Sequence, residues 1–183
     1  MISLNVPGSK SITNRVLLLA ALAIGKSKLK NVLESDDTRV MRVALKNIGI
    51  PTRKIYCGNS GTTARFITAI CAAQNIESVI DGDERMRERP IKDLVDALRM
   101  LGSKITYLGK EGFVPIKVQG PSTKNRCTIQ GSTSSQYISA LLMAAPLSKH
   151  QTIINIDGTL VSKPYIDLTI ALMRRFGVQV NSS

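Results

Sequence analysis

The stretch Gly58-Asn59-Ser60-Gly61-Thr62-Thr63-Ala64-Arg65 joins a glycine- and hydroxyl-rich turn to the start of an apolar run. Two more stretches have the same build, Gly8-Ser9-Lys10-Ser11-Ile12-Thr13-Asn14-Arg15 and Gly131-Ser132-Thr133-Ser134-Ser135-Gln136. A helix that opens at such a turn presents free backbone N–H groups, the positive end of its dipole and hydroxyl donors. Three such turns predict a ligand rich in phosphate and carboxylate, bound where several helix ends converge.

The segments that follow these turns also repeat. Each turn leads into an apolar helix, a short strand, a polar connector and a second helix, which ends at Gly49, Gly102 or Gly177 with basic residues in its last turn. Such self-similarity predicts one supersecondary unit used three times in a single domain, 1–183. The repeat units cover approximately 8–57, 58–130 and 131–183. The predicted first helices cover 16–23, 64–73 and 137–145, and the predicted strands 27–32, 77–80 and 152–156.

Only the middle unit continues into further strand-like segments, at 104–108, 115–118 and 127–129. Another strand is expected at 2–6. Short strands that alternate with helices are typical of an α/β (α+β layered) domain. The sequence therefore predicts three βαβαββ-type units, incomplete in the first and the third, with a link between Gly49 and Gly58 that is unusually short.

Composition limits the classes of function. A hydrophobic content of 43% predicts a folded globule, and a formal net charge of +12 predicts an anionic partner. Nucleic acid, an acidic membrane and phosphorylated metabolites all satisfy that charge. The apolar run at 16–24 is too short to cross a bilayer, and no secretory signal is recognisable at the N-terminus, so a cytoplasmic protein is expected. Three cysteines without C-x-x-C spacing favour free thiols over disulfides or a zinc site.

Two further motifs complete an ordered set. They are Asp83-Glu84-Arg85-Met86-Arg87-Glu88-Arg89-Pro90-Ile91 and Leu160-Val161-Ser162-Lys163-Pro164-Tyr165-Ile166-Asp167. Together with 7–15, 58–62 and 131–136, they closely resemble the N-terminal half of the 5-enolpyruvylshikimate-3-phosphate synthase family, the 3-phosphoshikimate 1-carboxyvinyltransferases. The resemblance covers almost the whole chain and implies three-fold repetition of a small αβ unit in each of the family's two domains.

The resemblance implies a reaction and a set of site residues. The family transfers the enolpyruvyl group of phosphoenolpyruvate to a hydroxyl of shikimate 3-phosphate and releases phosphate, within aromatic amino acid biosynthesis. Such anionic substrates need charge-assisted donors and oriented N–H groups, and neither a metal nor a cofactor is implied. For shikimate 3-phosphate the resemblance implies Lys10, Ser11, Arg15, Ser134, Ser135, Gln136, Ser162 and Tyr165. For phosphoenolpyruvate it implies Lys10, Gly61, Thr62, Arg89 and Gln136.

Some of these residues have expected roles. Gly61 lets the chain approach phosphoenolpyruvate closely, since a side chain there would intrude on the ligand. The fork of Arg89 suits a phosphate or a carboxylate, and Pro90 is expected to place Arg89 at a helix start. Asp36 and Asp37 fit either a helix cap or a pair of acid–base carboxylates, and capping is the commoner use.

The chain departs from the family in three respects. It has about half of the family's length and lacks the C-terminal half, which by resemblance supplies the carboxylates for proton transfer. Because those carboxylates are missing, turnover by the chain alone is expected to be negligible. Lys10 is the closest catalytic candidate in this half. A complementary C-terminal half is a candidate partner. The link between Gly49 and Gly58 is short, and Phe66 stands where proline is common.

Two other functions compete with this interpretation. A basic nucleic-acid-binding module would use the +12 charge, but the basic residues are spread along the chain and aromatic residues make up only 4%. The other alternative is a degenerate fragment without a catalytic role.

Overall fold

The computed structural model describes residues 8–50 and 54–181. Its helices are α1 (Lys10–Leu22), α2 (Asp36–Asn47), α3 (Gly61–Ala73), α4 (Glu84–Arg87), α5 (Lys92–Met100), α6 (Ser135–Ala144) and α7 (Lys163–Arg175). Its strands are β1 (Lys54–Tyr56), β2 (Glu77–Asp81), β3 (Lys104–Tyr107), β4 (Ile116–Gln119), β5 (Arg126–Gln130) and β6 (Ile153–Asp157), and a 3-10 turn spans Ala145–Leu147. This mixed architecture confirms the predicted α/β class.

The strands form two sheets. The larger has the order β1-β2-β4-β3, in which β1 is parallel to β2 and β4 is antiparallel to both β2 and β3. The smaller is the parallel pair β5 and β6. From β1 to β4 the elements follow the order βαβαββ, with the short helix α4 added. The three-fold repetition itself stays a prediction. Strand β1 pairs with β2 in the larger sheet, although the approximate unit boundary put 54–56 in the first unit and β2 in the second.

The strand expected at 27–32 is not assigned in the part of the chain that the structure describes. A strand requires a hydrogen-bonded neighbour, and elsewhere that neighbour is the strand ahead of the preceding helix: β1 for β2 and β5 for β6. The strand expected at 2–6 lies outside the described residues.

Each of the three glycine- and hydroxyl-rich turns opens a helix, as predicted. The N-cap side chains accept hydrogen bonds from backbone N–H groups of the first turn, and these caps are Ser9 for α1, Ser60 for α3 and Ser134 for α6. The helices begin before the apolar runs from which they were predicted, because the capping hydroxyl rather than the first apolar side chain determines the start.

The helix ends also follow the prediction. Gly49, Gly102 and Gly177 each come directly after the C-cap residue of α2, α5 or α7, with φ values of 84°, 97° and 83°. A positive φ is readily adopted by glycine and strained for other residues, which explains why glycine stops each helix.

Helix α3 lies at the centre of the core. Its side chains from Thr63 to Ala72 are buried, and it packs against α6 and against strands of the larger sheet. Burial of one large apolar side chain such as Phe66 or Ile70 stabilises the fold by roughly 1.5–3 kcal/mol. Because α3 is fixed by packing, its N-terminus is a rigid element on which a site can be built. No helix within 8–50 and 54–181 is long and apolar enough to cross a membrane.

Candidate anion-binding site

The N-terminal ends of α1, α3, α6 and α7 border one open cleft of about 580 Å³. The structure places every predicted site residue along this cleft. They are Lys10, Ser11, Arg15, Gly61, Thr62, Arg89, Ser134, Ser135, Gln136, Ser162 and Tyr165. Residues far apart in sequence therefore converge at one place, which is the arrangement that the three repeated turns predicted.

Five further residues line the cleft in addition to those that the resemblance implied: Asn14, Asp37, Asn59, Thr133 and Val161. All except Asp37 lie inside the quoted motifs, so their closeness in sequence to the predicted residues could have identified them as residues of the site. Asn14 is fully buried, and neither its amide oxygen nor its amide nitrogen has a partner within 8–50 and 54–181. A buried polar group without a partner costs roughly 1–3 kcal/mol, so a ligand group that bonded Asn14 would recover part of that cost.

The guanidinium of Arg15 is held by hydroxyl and carbonyl oxygens. Its Nε donates to Thr169 Oγ1 at 2.7 Å, its Nη2 to Ser139 Oγ at 3.0 Å and its Nη1 to Ser11 O at 3.0 Å. Thr169 Oγ1 in turn donates to Tyr165 O at 2.7 Å. Since that bond uses the only hydroxyl hydrogen of Thr169, the 2.9 Å contact between Ser139 and Thr169 is donated by Ser139.

Arg15 is also a buried charge without a counter-ion among the residues that the structure describes. It is only 3% exposed, and no described carboxylate forms an ion pair with it. The rings of Phe66 and Tyr165 lie 5.4 and 6.0 Å from its guanidinium carbon. Burial lowers the pKa of Arg15 to about 10, so it stays protonated at neutral pH. A buried cation of this kind is strongly stabilised by an anion placed beside it.

Arg89 lies against the N-terminus of α3. Its Nη1 donates to Asn59 O at 2.9 Å, and a Cβ atom at Gly61 would lie 2.7 Å from the guanidinium carbon of Arg89. The absence of a side chain at Gly61 therefore allows this guanidinium to approach the helix start. The family resemblance implied that Gly61 leaves room for phosphoenolpyruvate; among protein atoms, the group that it admits is the guanidinium of Arg89.

The predicted placement of Arg89 at a helix start is wrong. Helix α5 begins at Lys92 with Ile91 as its N-cap residue, and Arg89 lies between α4 and α5. The reason is that Ile91 is fully buried and donates its backbone N–H to Gly112 O at 2.8 Å. That anchor holds the chain in a non-helical conformation past Pro90.

Ser162 has a strained backbone beside the cleft. It is the N-cap residue of α7 with φ 55° and ψ 35°, in the left-handed region, and its hydroxyl makes no capping hydrogen bond. Ser134, by contrast, accepts from the backbone N–H of Gln136 at 3.2 Å. The hydroxyl of Ser162 is therefore available to a ligand.

The two acidic residues at the start of α2 differ in their surroundings. Neither is the cap, since Ser35 caps the helix in a reciprocal capping box with Thr38. Asp36 is exposed and pairs with Arg39, whereas Asp37 lines the cleft and pairs with Lys10 at 3.2 Å. Asp37 is the single carboxylate among the lining residues of the cleft, against the cations Lys10, Arg15 and Arg89. The excess positive charge suits an anionic ligand.

We expect Asp37→Asn to tighten the binding of inorganic phosphate by about three- to tenfold at low salt, because the substitution removes a carboxylate that competes for Lys10 and repels the anion. Asp36→Asn is the matched control, since it removes the same charge from the same helix turn outside the cleft. Calorimetric titration measures both, and added salt should shrink the difference. Weaker binding by Asp37→Asn would show that Asp37 instead orients Lys10 for the anion.

No group of three or more His, Cys, Asp or Glu residues that could hold a metal ion occurs in the described ranges. All three cysteines are buried and free, and burial raises the pKa of Cys57 to about 12. The chemistry that the cleft offers is anion binding by cationic side chains, hydroxyls and helix N–H groups.

Comparisons with known proteins give one family. The family model described as EPSP synthase (3-phosphoshikimate 1-carboxyvinyltransferase) matches residues 2–56 and 50–183. The chain is 46% identical over 204 residues to the 3-phosphoshikimate 1-carboxyvinyltransferase of Escherichia coli strain SMS-3-5, and 45% identical to that of strain O1:K1; each alignment covers 98% of this chain and 48% of the relative. EPSP synthase from Acinetobacter baumannii superimposes with a TM-score of 0.85 at 25% identity, over 98% of this chain and 44% of that one.

Two features of these alignments bear on the departures noted from sequence. The two family-model matches overlap at residues 50–56, where the short link lies. The alignment to the Escherichia coli relative, 204 residues, is longer than this chain of 183, so the relative contains residues that this chain lacks. The comparisons confirm the resemblance and do not favour the nucleic-acid alternative.

Proposed function

This chain belongs to the EPSP synthase (3-phosphoshikimate 1-carboxyvinyltransferase) family, and from that premise we propose that its cleft binds shikimate 3-phosphate and phosphoenolpyruvate for enolpyruvyl transfer. The chain spans about half the length of the curated relatives it matches, 48% of the first. The activity proposed is therefore that of a protein of which this chain corresponds to the N-terminal part, in the shikimate pathway of aromatic amino acid biosynthesis.

The observation that carries this proposal is the buried guanidinium of Arg15, which has no carboxylate partner among the described residues and lies under a cleft bordered by four helix starts. Charged hydrogen-bond donors already held in place favour a ligand with two or more anionic groups, because binding then requires little reorganisation. Shikimate 3-phosphate and phosphoenolpyruvate both carry a phosphate and a carboxylate.

The residues of the cleft divide between two ligands in this proposal. Ser11, Arg15 and Tyr165 would hold the shikimate part, and the free hydroxyl of Ser162 would join Ser134 and Ser135 at its phosphate. Gly61, Thr62 and Arg89 would hold phosphoenolpyruvate at the start of α3, while Lys10 and Gln136 would contact both ligands. This arrangement orients the acceptor hydroxyl against the enolpyruvyl group and supplies cations for the departing phosphate.

We also propose that turnover by this chain alone is negligible. Asp37 is the single carboxylate lining the cleft, and it already pairs with Lys10. Binding alone does not accelerate transfer, because only interactions made in the transition state do so. The proton-transfer groups would come from a complementary C-terminal half. We also propose that the protein is located in the cytoplasm.

One edge of β6 could pair with strands of a complementary C-terminal half. Among the described residues β6 pairs only with β5, whereas β2, the strand in the corresponding position, is covered by β4 on its other edge. An uncovered edge presents unpaired backbone groups to another strand. We propose that strands of the complementary half pair there.

Calorimetric titration with shikimate 3-phosphate, and with shikimate as the matched ligand lacking the phosphate, tests the proposed binding. We expect saturable heat for the phosphorylated ligand and binding weaker by at least about 100-fold for shikimate, because the phosphate makes several charge-assisted hydrogen bonds. Lys10→Ala should weaken binding, and Lys46→Ala, at the exposed last turn of α2, should not. The absence of saturable heat, or equal affinities for both ligands, would contradict the proposal.

A further inference from the structure

Arg65 is a second buried cation, placed behind the cleft rather than along it. It lies on α3, is 7% exposed and forms no ion pair with a described carboxylate. Its guanidinium carbon is 5.1 Å from the centre of the Tyr137 ring, and its Nε is buried without a partner. A cation kept in so unfavourable a place calls for an explanation beyond stability.

The first contact of Arg65 determines how Gln136 is oriented. Arg65 Nη1 donates to Gln136 Oε1 at 2.6 Å. Because arginine has donors and no acceptor, the oxygen of this amide must face Arg65, and the nitrogen must face away from it. Gln136 lines the cleft, and among the described residues its side chain is hydrogen-bonded through Oε1 to Arg65, which leaves Nε2 without a partner there. The side chain therefore offers the cleft a donor, which an anion accepts, rather than an oxygen, which would repel it.

The second contact fixes the chain beside Arg89. Arg65 Nη2 donates to Pro90 O at 3.2 Å, and Tyr137 OH donates to the same oxygen at 2.7 Å. Because two donors bond its carbonyl oxygen, the peptide group that follows Pro90 is held in one orientation. Arg65 thus contacts the groups that orient two cleft residues, Gln136 and Arg89, which lie on separate elements.

We propose that Arg65 is a positioning residue, which turns the amide donor of Gln136 into the cleft and holds the backbone next to Arg89, so that both engage the same anionic ligand. This inference deepens the proposed function and rests on it for the identity of that ligand, phosphoenolpyruvate. Arg65 itself does not touch the ligand; it lowers the reorganisation that binding requires.

The first test needs no ligand. Side-chain 15N relaxation of the Gln136 amide, identified by its absence in Gln136→Ala, measures whether that group is held. We expect a rigid amide in the unaltered protein and a mobile one in Arg65→Met. Arg99→Met is the matched control, since Arg99 also lies 5.1 Å from a tyrosine ring, Tyr107, and donates to a backbone carbonyl, that of Ile105. A Gln136 amide that stays rigid in Arg65→Met would overturn the proposal.

The second test is a double-mutant cycle on phosphoenolpyruvate affinity. We expect Arg65→Met and Gln136→Ala each to weaken binding by about tenfold, the size of one hydrogen bond to a charged group, and the double variant by much less than their product. Additive losses would mean that Arg65 acts through its charge alone and would overturn the proposal. If phosphoenolpyruvate does not bind the unaltered protein, the proposed function fails, while the ligand-free amide measurement still decides the role of Arg65.

Arg65→Lys keeps the test decisive if Arg65→Met does not fold. Lysine retains the charge but cannot bond Gln136 Oε1 and Pro90 O with the same planar fork. We expect a more mobile Gln136 amide and several-fold weaker binding in Arg65→Lys. An unchanged amide and unchanged affinity would overturn the proposal.

Discussion

Arg15→Met is expected to weaken the binding of shikimate 3-phosphate by at least about 100-fold, because it removes a desolvated cation and its hydrogen bonds from beneath the cleft. The same substitution is expected to change the free energy of unfolding of the ligand-free protein by less than about 1 kcal/mol. The two effects are separate because the ligand-free protein has no described carboxylate that Arg15 neutralises. The cation is useful only when the anion is present.

The hydroxyl network around Arg15 explains the small stability change. Without the guanidinium, Ser139 still donates to Thr169, and Thr169 still donates to Tyr165 O. Neither hydroxyl hydrogen loses its acceptor, so no buried donor becomes unsatisfied. Methionine fills a similar volume against the ring of Phe66, and a sulfur–aromatic contact replaces the cation–π contact.

Urea unfolding and calorimetric titration measure the two effects in the same sample. Arg42→Met is the control, since Arg42 is a half-exposed arginine on α2 that pairs with Glu34 and does not line the cleft. Its substitution should leave both quantities nearly unchanged. If Arg15→Met lowered the free energy of unfolding by several kcal/mol, Arg15 would be a structural residue and its loss of binding would be uninformative.

The elements that could be predicted from sequence are those with local causes. The helix starts at Ser9, Ser60 and Ser134 follow from a hydroxyl that caps the helix it precedes, and the helix stops follow from glycines at positive φ. The repeated turns also predicted that distant segments converge, because three similar helix starts in one domain suit a shared ligand.

What the sequence could not predict depends on contacts between distant residues. Arg15 bonds Thr169, 154 positions away, and Arg65 bonds Gln136, 71 positions away. No pattern within a motif indicates such partners. The misplaced helix start beside Arg89 has the same origin, since the rule that proline favours a first helical turn is local and the burial of Ile91 overrides it.

Asp81→Asn is expected to lower the free energy of unfolding by about 2–3 kcal/mol. Asp81 ends β2 and is 1% exposed. Its Oδ2 accepts from Lys54 Nζ at 2.7 Å and Arg87 Nη2 at 2.8 Å, and its Oδ1 accepts from the backbone N–H of Gly82 at 2.8 Å. The amide keeps the shape but not the charge, and two cations lose their partner.

The pH dependence of stability gives an independent measure of the same carboxylate. Burial alone would raise the pKa of Asp81, but the hydrogen bonds from Arg87, Lys54 and Gly82 outweigh it and lower the pKa to about 2. A carboxyl with a pKa lowered by folding stabilises the protein fully above its unfolded pKa, about 3.9, and loses that contribution as the pH falls towards 2. The unaltered protein should therefore lose more stability than Asp81→Asn between pH 5 and pH 2.5.

Asp157 provides the matched control, because it ends β6 as Asp81 ends β2 and is exposed, with one hydrogen bond from Gln130 Nε2 at 2.8 Å. Asp157→Asn should change the free energy of unfolding by less than about 0.5 kcal/mol and leave the pH dependence intact. Equal losses for both variants would show that Asp81 is no better paired than a surface carboxylate. A large loss confined to Asp81→Asn would identify the end of β2, from which the chain leads to α4 and Arg89, as a structural anchor beside the cleft.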